Sequence, residues 1–139
     1  MKLRHIGVVT NKLDESLEFY KIFGFEFKHG KVESGEYVDR YFGKKKVSVL
    51  TVKLKNEFNE CIELLRFDNV CGEQNKKKLT DIGLTHITFE VENLDESFVS
   101  FLEKKGIEII CDIQVTPTGH KVLFCKDPNN VCVELVKEP

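Results

Sequence analysis

The chain has 139 residues, of which 41% are hydrophobic and 32% are charged, and its formal net charge at pH 7 is −2. This composition is typical of one soluble globular domain, and a chain of this length can form a single hydrophobic core. It lacks the basic excess of a nucleic-acid-binding protein, and no apolar run approaches the ~20 residues that a transmembrane helix needs. We therefore expect a cytoplasmic protein that binds neither nucleic acid nor membranes.

The five cysteines favour a reducing compartment as well. They are odd in number and no two of them form a CxxC pair, so the sequence predicts neither a disulfide framework nor a thiolate zinc site. Cys61 and Cys132 lie in apolar runs, which is typical of small buried hydrophobic side chains.

An internal repeat organises the chain. LRHIGVVTNKLDESLEFY at residues 3–20 returns as LTHITFEVENLDESFVSF at residues 84–101, with the histidine at the same distance from LDES in both copies. The copies also end alike, in CIELL and CVELV. The repeat predicts one domain of two modules, about residues 1–68 and about residues 83–139, joined by a polar linker at about 69–82 that contains CGEQNKKK.

In the first module the apolar pattern changes from strand to helix and back to strand. Residues 3–10 have the composition of a strand, residues 13–23 have helical spacing, and Gly24 is expected to end the helix. The strand-like runs that follow are Phe25–Val32, Tyr37–Phe42, Val47–Leu54 and Cys61–Phe67.

The second module follows the same order. Asn93 and Glu96 have the spacing of a capping box, and Gly106 is expected to end the helix. The apolar stripe of this helix consists of Leu94, Phe98, Phe101 and Leu102. The strand-like runs after it are Ile107–Ile110, Ile113–Thr116, His120–Cys125 and Val131–Val136. Each module therefore reads β-α-β-β-β, and two such modules are expected to pair into one α+β body.

Two histidines and two carboxylates occupy repeat-related positions in these strands. Side chains alternate between the faces of a strand, so His5 and His86 oppose apolar rows and are expected on the face without helices. Glu63 and Glu134 stand in the middle of apolar last strands, where a buried carboxylate costs several kcal/mol unless it is paired or bound to a metal. Singly, each residue has a structural explanation; together they are candidates for one metal-binding pocket.

The other polar residues carry weaker signals. His29 is expected at the surface, and His120 remains open as a residue that lines a pocket. Three basic side chains are expected at the surface rather than on an anionic substrate, namely Arg40, Arg66 and Lys121. The basic runs Lys44–Lys46 and Lys76–Lys78 are expected to be solvated turns.

The motifs named above resemble those of the vicinal oxygen chelate superfamily, the group of glyoxalase I, methylmalonyl-CoA epimerase, extradiol dioxygenases and bleomycin resistance proteins. The resemblance covers essentially the whole chain, through LRHIGVV, LDESLEFY, KIFGFEF, CIELL, LTHITFEV, LDESFVSFLEKKGIEI and KDPNNVCVELV. The last motif has Asn130 where the family usually has glycine. The resemblance implies a cup-shaped mixed sheet of two paired βαβββ modules with helices on its outer face.

It also implies one divalent metal ion, Ni²⁺, Zn²⁺, Co²⁺ or Mn²⁺, bound by His5, Glu63, His86 and Glu134. Glu134 or Glu63 would act as general base on a small-molecule substrate, such as a thioester or thiol adduct, through a metal-stabilised enediolate or enolate. The implied protein is a homodimeric isomerase, lyase or epimerase. A non-catalytic binding or resistance protein and a metal-dependent dioxygenase remain as alternatives; the four ligands disfavour the first, and the carboxylate at residue 63 disfavours the second.

Overall fold

The computed structural model describes residues 1–69, 72–73 and 78–139. It divides into two compact units, Met1–Glu73 and Gln74–Pro139. Cys71, much of the expected linker and two lysines of the expected basic turn at residues 76–78 lie outside the described residues. Within the described part of the chain, no helix has the length and apolar character to cross a bilayer.

The first unit is a four-stranded mixed sheet with two helices. Its elements are β1 (Ile6–Val9), α1 (Leu13–Ile22), β2 (Glu26–Ser34), α2 (Glu36–Phe42), β3 (Ser48–Lys55) and β4 (Cys61–Phe67). The strand order is β1-β4-β3-β2, with β1 parallel to β4 and the other neighbours antiparallel. The first and last strands of the unit therefore lie side by side.

The second unit repeats this arrangement with one helix. Its elements are β5 (His86–Glu90), α3 (Glu96–Lys104), β6 (Gln114–Val115), β7 (Lys121–Lys126) and β8 (Cys132–Lys137). The strand order is β5-β8-β7-β6, with β5 parallel to β8. The predicted α+β class is confirmed by these two mixed sheets.

Alternation along β4 and β8 separates the core from the polar face. On β4, Ile62 and Leu64 are buried on one face and Glu63 lies on the other. On β8, Val133 and Leu135 are buried on one face and Glu134 lies on the other. The core of the first unit is completed by α1, which contacts β2 and β4 and buries Phe19 and Tyr20. Both glutamates thus lie on the face opposite the most deeply buried residues of their strands.

The prediction of a strand at Tyr37–Phe42 is wrong, because these residues form α2. Val38 and Phe42 are one helical turn apart, which places them close together on one face of α2. Val38 packs with Val47 and Val49, and the Phe42 ring meets the Phe67 ring edge to face at 4.9 Å between centroids. Since Phe67 and Glu63 alternate onto the same face of β4, one end of that face is covered by α2 and is not free of helices.

The predicted capping box at Asn93 and Glu96 is also wrong, because the N-cap of α3 is Asp95. Its backbone is extended and its Oδ1 accepts hydrogen bonds from the Phe98 amide at 2.9 Å and the Ser97 hydroxyl at 2.6 Å. Leu94 and Leu102 are buried, as the predicted stripe requires, whereas Phe101 is 41% exposed.

The expected strand Ile107–Ile110 is reduced to a single bridge between Ile109 and Cys125. By contrast, the glycines expected to end the first helix of each repeat do so. Gly24 and Gly106 follow α1 and α3 with φ values of 79° and 77°, a left-handed conformation that glycine adopts without strain.

Candidate metal centre

In the first unit His5 lies beside Glu63. His5 directly precedes β1, and the parallel register pairs Gly7 with Glu63, so both side chains are on the same face of the sheet. The His5 Nε2 atom is 3.3 Å from the Glu63 Oε2 atom, and the two side chains are 32% and 14% exposed. Side-chain alternation in the sequence predicts both residues on this face, and the structure brings them together as a pair.

In the second unit His86 and Glu134 form the corresponding pair. His86 begins β5, and the register pairs Thr88 with Glu134, the same two-residue offset as in the first unit. The His86 Nε2 atom is 3.5 Å from the Glu134 Oε2 atom, and the side chains are 36% and 20% exposed. The repeat seen in the sequence is therefore a repeat of geometry at the histidine and the glutamate.

The two carboxylates differ in their third partner. Thr88 donates a hydrogen bond of 2.7 Å from its hydroxyl to Oε2 of Glu134. Gly7 occupies the equivalent place in the first unit and has no side chain to donate. There the Lys53 Nζ atom lies 3.5 Å from Oε1 of Glu63, because β3 pairs with β4 at these two residues.

The two imidazoles also differ, at the nitrogen that faces away from the carboxylate. Nδ1 of His86 lies 2.8 Å from the Thr85 hydroxyl, and the edge of the Phe124 ring packs on the imidazole at 5.5 Å between centroids. Nδ1 of His5 is buried and has no hydrogen-bond partner among the described residues. An imidazole whose Nδ1–H is held by an acceptor presents the Nε2 lone pair to a metal, and the Thr85 contact can hold His86 in that tautomer.

The chemistry of both pairs fits a divalent metal ion. Imidazole nitrogen and carboxylate oxygen are ligands of Ni²⁺, Zn²⁺, Co²⁺ and Mn²⁺. Two such ligands, each about 2.0–2.2 Å from an ion, stand about 3.0–3.5 Å apart in tetrahedral or octahedral coordination. The observed separations of 3.3 and 3.5 Å match this spacing and exceed the ~2.8 Å of a charge-assisted hydrogen bond. Each pair supplies two donors; the described residues of the chain contain no cluster of three or more potential ligands.

The remaining candidates lie elsewhere. His29 is exposed on β2, as expected, and the His120 Nε2 atom lies 2.9 Å from Oε2 of Glu138. Lys121 donates to the backbone oxygen of Leu94 at 3.3 Å. Lys53 and Thr88 were not among the predicted site residues, although each is the cross-strand neighbour of a predicted ligand.

The family is decided by a comparison along the whole chain. Residues 2–135 match the model of the Glyoxalase/Bleomycin resistance protein/Dioxygenase superfamily. The chain belongs to this superfamily. The predicted resemblance is thereby confirmed. As the name of the superfamily says, it contains both enzymes and resistance proteins.

Three individual proteins resemble the chain in sequence or in fold. The chain is 28% identical to human mitochondrial methylmalonyl-CoA epimerase over 138 residues, which covers 96% of this chain and 72% of the epimerase. A glyoxalase family protein from Bacillus cereus has the same fold with a TM-score of 0.89 at 19% identity, over 99% of this chain and 94% of that one. A fosfomycin resistance protein from Listeria monocytogenes, in complex with Mn(II) and a dihydroxypropylphosphonic acid, matches with a TM-score of 0.65 at 16% identity over 99% and 93% of the two chains.

Proposed function

We propose that the protein is a divalent-metal-dependent isomerase, lyase or epimerase that moves a proton at a carbon atom next to a substrate oxygen. The observation that carries this proposal is the same histidine–glutamate pair, built twice in the same register with a separation that suits metal ligands. The proposed ligands of one Ni²⁺, Zn²⁺, Co²⁺ or Mn²⁺ ion are His5, Glu63, His86 and Glu134.

A bound ion of this kind withdraws electron density from two adjacent substrate oxygens and makes the neighbouring C–H acidic. Glu134 is the proposed general base. Its Oε2 atom is oriented by the Thr88 hydroxyl, whereas Oε1 has no hydrogen-bond partner among the described residues and is available to take and return a proton. The carboxylate is 20% exposed, so a small molecule can reach it while the surrounding sheet excludes most water.

Glu63 is less suited to that role, because both of its oxygens are engaged. Oε2 faces His5 at 3.3 Å and Oε1 faces the Lys53 ammonium at 3.5 Å. Glu63 is therefore proposed as the more permanent ligand, and Glu134 as the carboxylate that carries the proton.

Metal binding is the first test. Calorimetric titration of the metal-stripped protein with Co²⁺ should give one ion per chain, and Ala in place of any of the four proposed ligands should weaken binding at least about tenfold. His29→Ala is the matched control, because His29 is exposed on β2 and is not a proposed ligand. Two weak ions per chain would show that each pair acts alone, and no binding of Co²⁺, Ni²⁺, Zn²⁺ or Mn²⁺ would overturn the proposal in favour of a metal-free binding protein.

Proton transfer is the second test. The similarity to human methylmalonyl-CoA epimerase makes 2-methyl-branched acyl-CoA thioesters the first substrates to assay, followed by methylglyoxal–thiol adducts. Incorporation of deuterium from D₂O at the carbon next to the carbonyl, followed by NMR, reports the reaction directly. Glu134→Gln should retain Co²⁺ and lose at least about a hundredfold in exchange rate, which is the usual contribution of a general base. Sedimentation of the metal-loaded protein tests the proposed homodimer.

A further inference from the structure

Lys53 adds a positive charge to the first histidine–glutamate pair, and the described residues place no ammonium at the second pair. The β3–β4 register pairs Lys53 with Glu63, and its ammonium lies 3.5 Å from Oε1 of that carboxylate. The Lys53 side chain is 29% exposed, so its ammonium faces both the candidate metal centre and solvent.

The fold does not need a lysine at this place. In the second unit the β7–β8 register pairs Phe124 with Glu134, so Phe124 is the counterpart of Lys53. Phe124 packs on His86 and contributes no charge. The lysine therefore places a positive charge beside the carboxylate of the first pair, whereas the second pair has an aromatic ring at the equivalent place.

The charges around Lys53 are mixed, but the two acidic side chains of β2 already have basic partners: Glu26 has Lys28 at 3.3 Å, and Glu33 has Lys31 at 3.4 Å. The cross-strand neighbour of Lys53 on β2 is His29. On β3 the residues two positions away on either side are Thr51 and Lys55, and Lys55 bonds to the neutral Asn59 at 2.6 Å. Glu63 is the only acidic side chain within 4 Å of the Lys53 ammonium in the described part of the chain.

Metal binding at Glu63 would change the balance at this contact. A carboxylate shared with a divalent ion has less negative charge to offer a second cation, since both compete for the same two oxygens. A partly buried ammonium that loses its counter-charge favours another anion in its place. A carboxylate of a small molecule bound beside Glu63 is an anion of this kind.

We propose that Lys53 is a specificity-determining residue that binds a carboxylate of the substrate, adjacent to the oxygens held at the metal centre. The proposal rests on the proposed function, and it narrows the substrate class to small molecules with an acidic group beside the reacting carbon. Lysine acts here as a point charge on a flexible stem, so it selects charge more than shape.

Two matched probes test the proposal without a catalytic assay. Acetohydroxamic acid and the monohydroxamate of succinic acid chelate a metal through the same two adjacent oxygens, but only the second has a further carboxylate. Each is titrated into the Co²⁺-loaded protein, and binding is followed by the visible absorption of cobalt. We expect the carboxylated probe to bind about tenfold or more tightly than the neutral one, the usual size of one charge-assisted hydrogen bond.

The variants assign the preference to one side chain. Lys53→Met should bind both probes equally well, and Lys53→Arg should keep most of the preference. Lys55→Met removes a positive charge from the same strand and face, away from Glu63, and should keep the full preference. If Lys53→Met fails to fold, Lys53→Gln replaces it, and the wild-type comparison of the two probes already decides whether a preference exists.

The outcomes separate the two proposals. Equal binding of both probes by the wild-type protein, or a preference that survives Lys53→Met, overturns the role of Lys53 and leaves the metal centre intact. A protein that binds no Co²⁺ overturns the proposed function and this inference with it.

Discussion

Thr88 donates a hydrogen bond of 2.7 Å to Glu134, its register partner on the neighbouring parallel strand. The equivalent partner of Glu63 is Gly7, which has no side chain. The two carboxylates are thus oriented by different groups, a hydroxyl in one unit and an ammonium in the other. Donors that orient a metal ligand typically change metal affinity by 10–100-fold, so this difference is measurable.

Replacing Thr88 by Val keeps the branched shape that suits a strand and removes the donor. We expect Thr88→Val to weaken Co²⁺ binding by about tenfold, because Glu134 loses the group that fixes its Oε2 atom. Thr88→Ser retains a hydroxyl and should recover most of the affinity. Calorimetric titration of the two variants measures this, and equal affinity of wild type and Thr88→Val would contradict the proposed role of Glu134 as a ligand.

Asp95 should give the stability of α3 a dependence on pH. The Ser97 hydroxyl and the Phe98 amide, which bond to the Asp95 carboxylate, hold its pKa below the ordinary 3.8. A carboxyl group whose pKa is lowered in the folded state stabilises the fold above its unfolded pKa, and this contribution is lost as pH falls below 3.8 towards the folded pKa. Asp95→Ala should therefore lower the midpoint of thermal unfolding at pH 7 by roughly 5 °C, with a smaller difference at pH 2.

Asp95→Asn is the control for charge, because asparagine also accepts the capping hydrogen bonds but does not titrate. The gap between Asp95→Asn and Asp95→Ala should be the same at pH 7 and pH 2. Circular dichroism melts at the two pH values provide the comparison. A gap between wild type and Asp95→Ala that is independent of pH would rule out the charged cap.

The core of the second unit should be sensitive at Leu135, which is completely buried. Leu135→Ala removes apolar contacts and leaves a cavity, so we expect a loss of about 2–5 kcal/mol in the free energy of unfolding. The Val115 side chain in β6 is 66% exposed, so Val115→Ala should change the free energy of unfolding by less than about 0.5 kcal/mol. Urea unfolding followed by circular dichroism measures both, and similar losses would show that the core lies elsewhere.

Cys125 should be inert towards thiol reagents in the folded protein. Burial raises the pKa of its thiol to about 12, and the negative charge of nearby Asp127 adds to this effect. The thiolate is the reactive form, so iodoacetamide at pH 8 should label the partly exposed Cys111 well before Cys125. Peptide mass spectrometry of timed samples identifies each site, and guanidinium chloride should abolish the difference. Equal labelling rates without denaturant would show that β7 is accessible.

The sequence predicted the paired residues better than their surroundings. Side-chain alternation has a period of two, so the faces of β4 and β8 follow from CIELL and CVELV once the strands are recognised. The Lys53–Glu63 contact could not be predicted, because it depends on the register set by the turn between β3 and β4. That register is fixed by hydrogen bonds within the turn, such as the 2.9 Å contact from the Glu60 amide to Asn56.

In each of the two wrong assignments the sequence offers local alternatives that are close in energy. EYVDRYF is rich in aromatic and β-branched residues, which favour strands, but Val38 and Phe42 gain more from packing on one side of a helix. Asn93 and Asp95 are both good N-caps, and the sequence alone does not say which of them has extended backbone. In the first case tertiary packing selects between local alternatives, and in the second the local hydrogen bonds of Asp95 to Ser97 and Phe98 do so.

The parallel pairing of β1 with β4, and of β5 with β8, ties each candidate half-site to the completion of a whole unit. A nascent chain that has produced His5 but not Glu63 has no donor pair, and neither does a chain in which the last strand has detached. Non-local strand pairing of this kind forms late in folding, after most of the unit is in place. A metal ion that needs both donors of a pair would thus bind only chains in which the first and last strands of a unit are already paired.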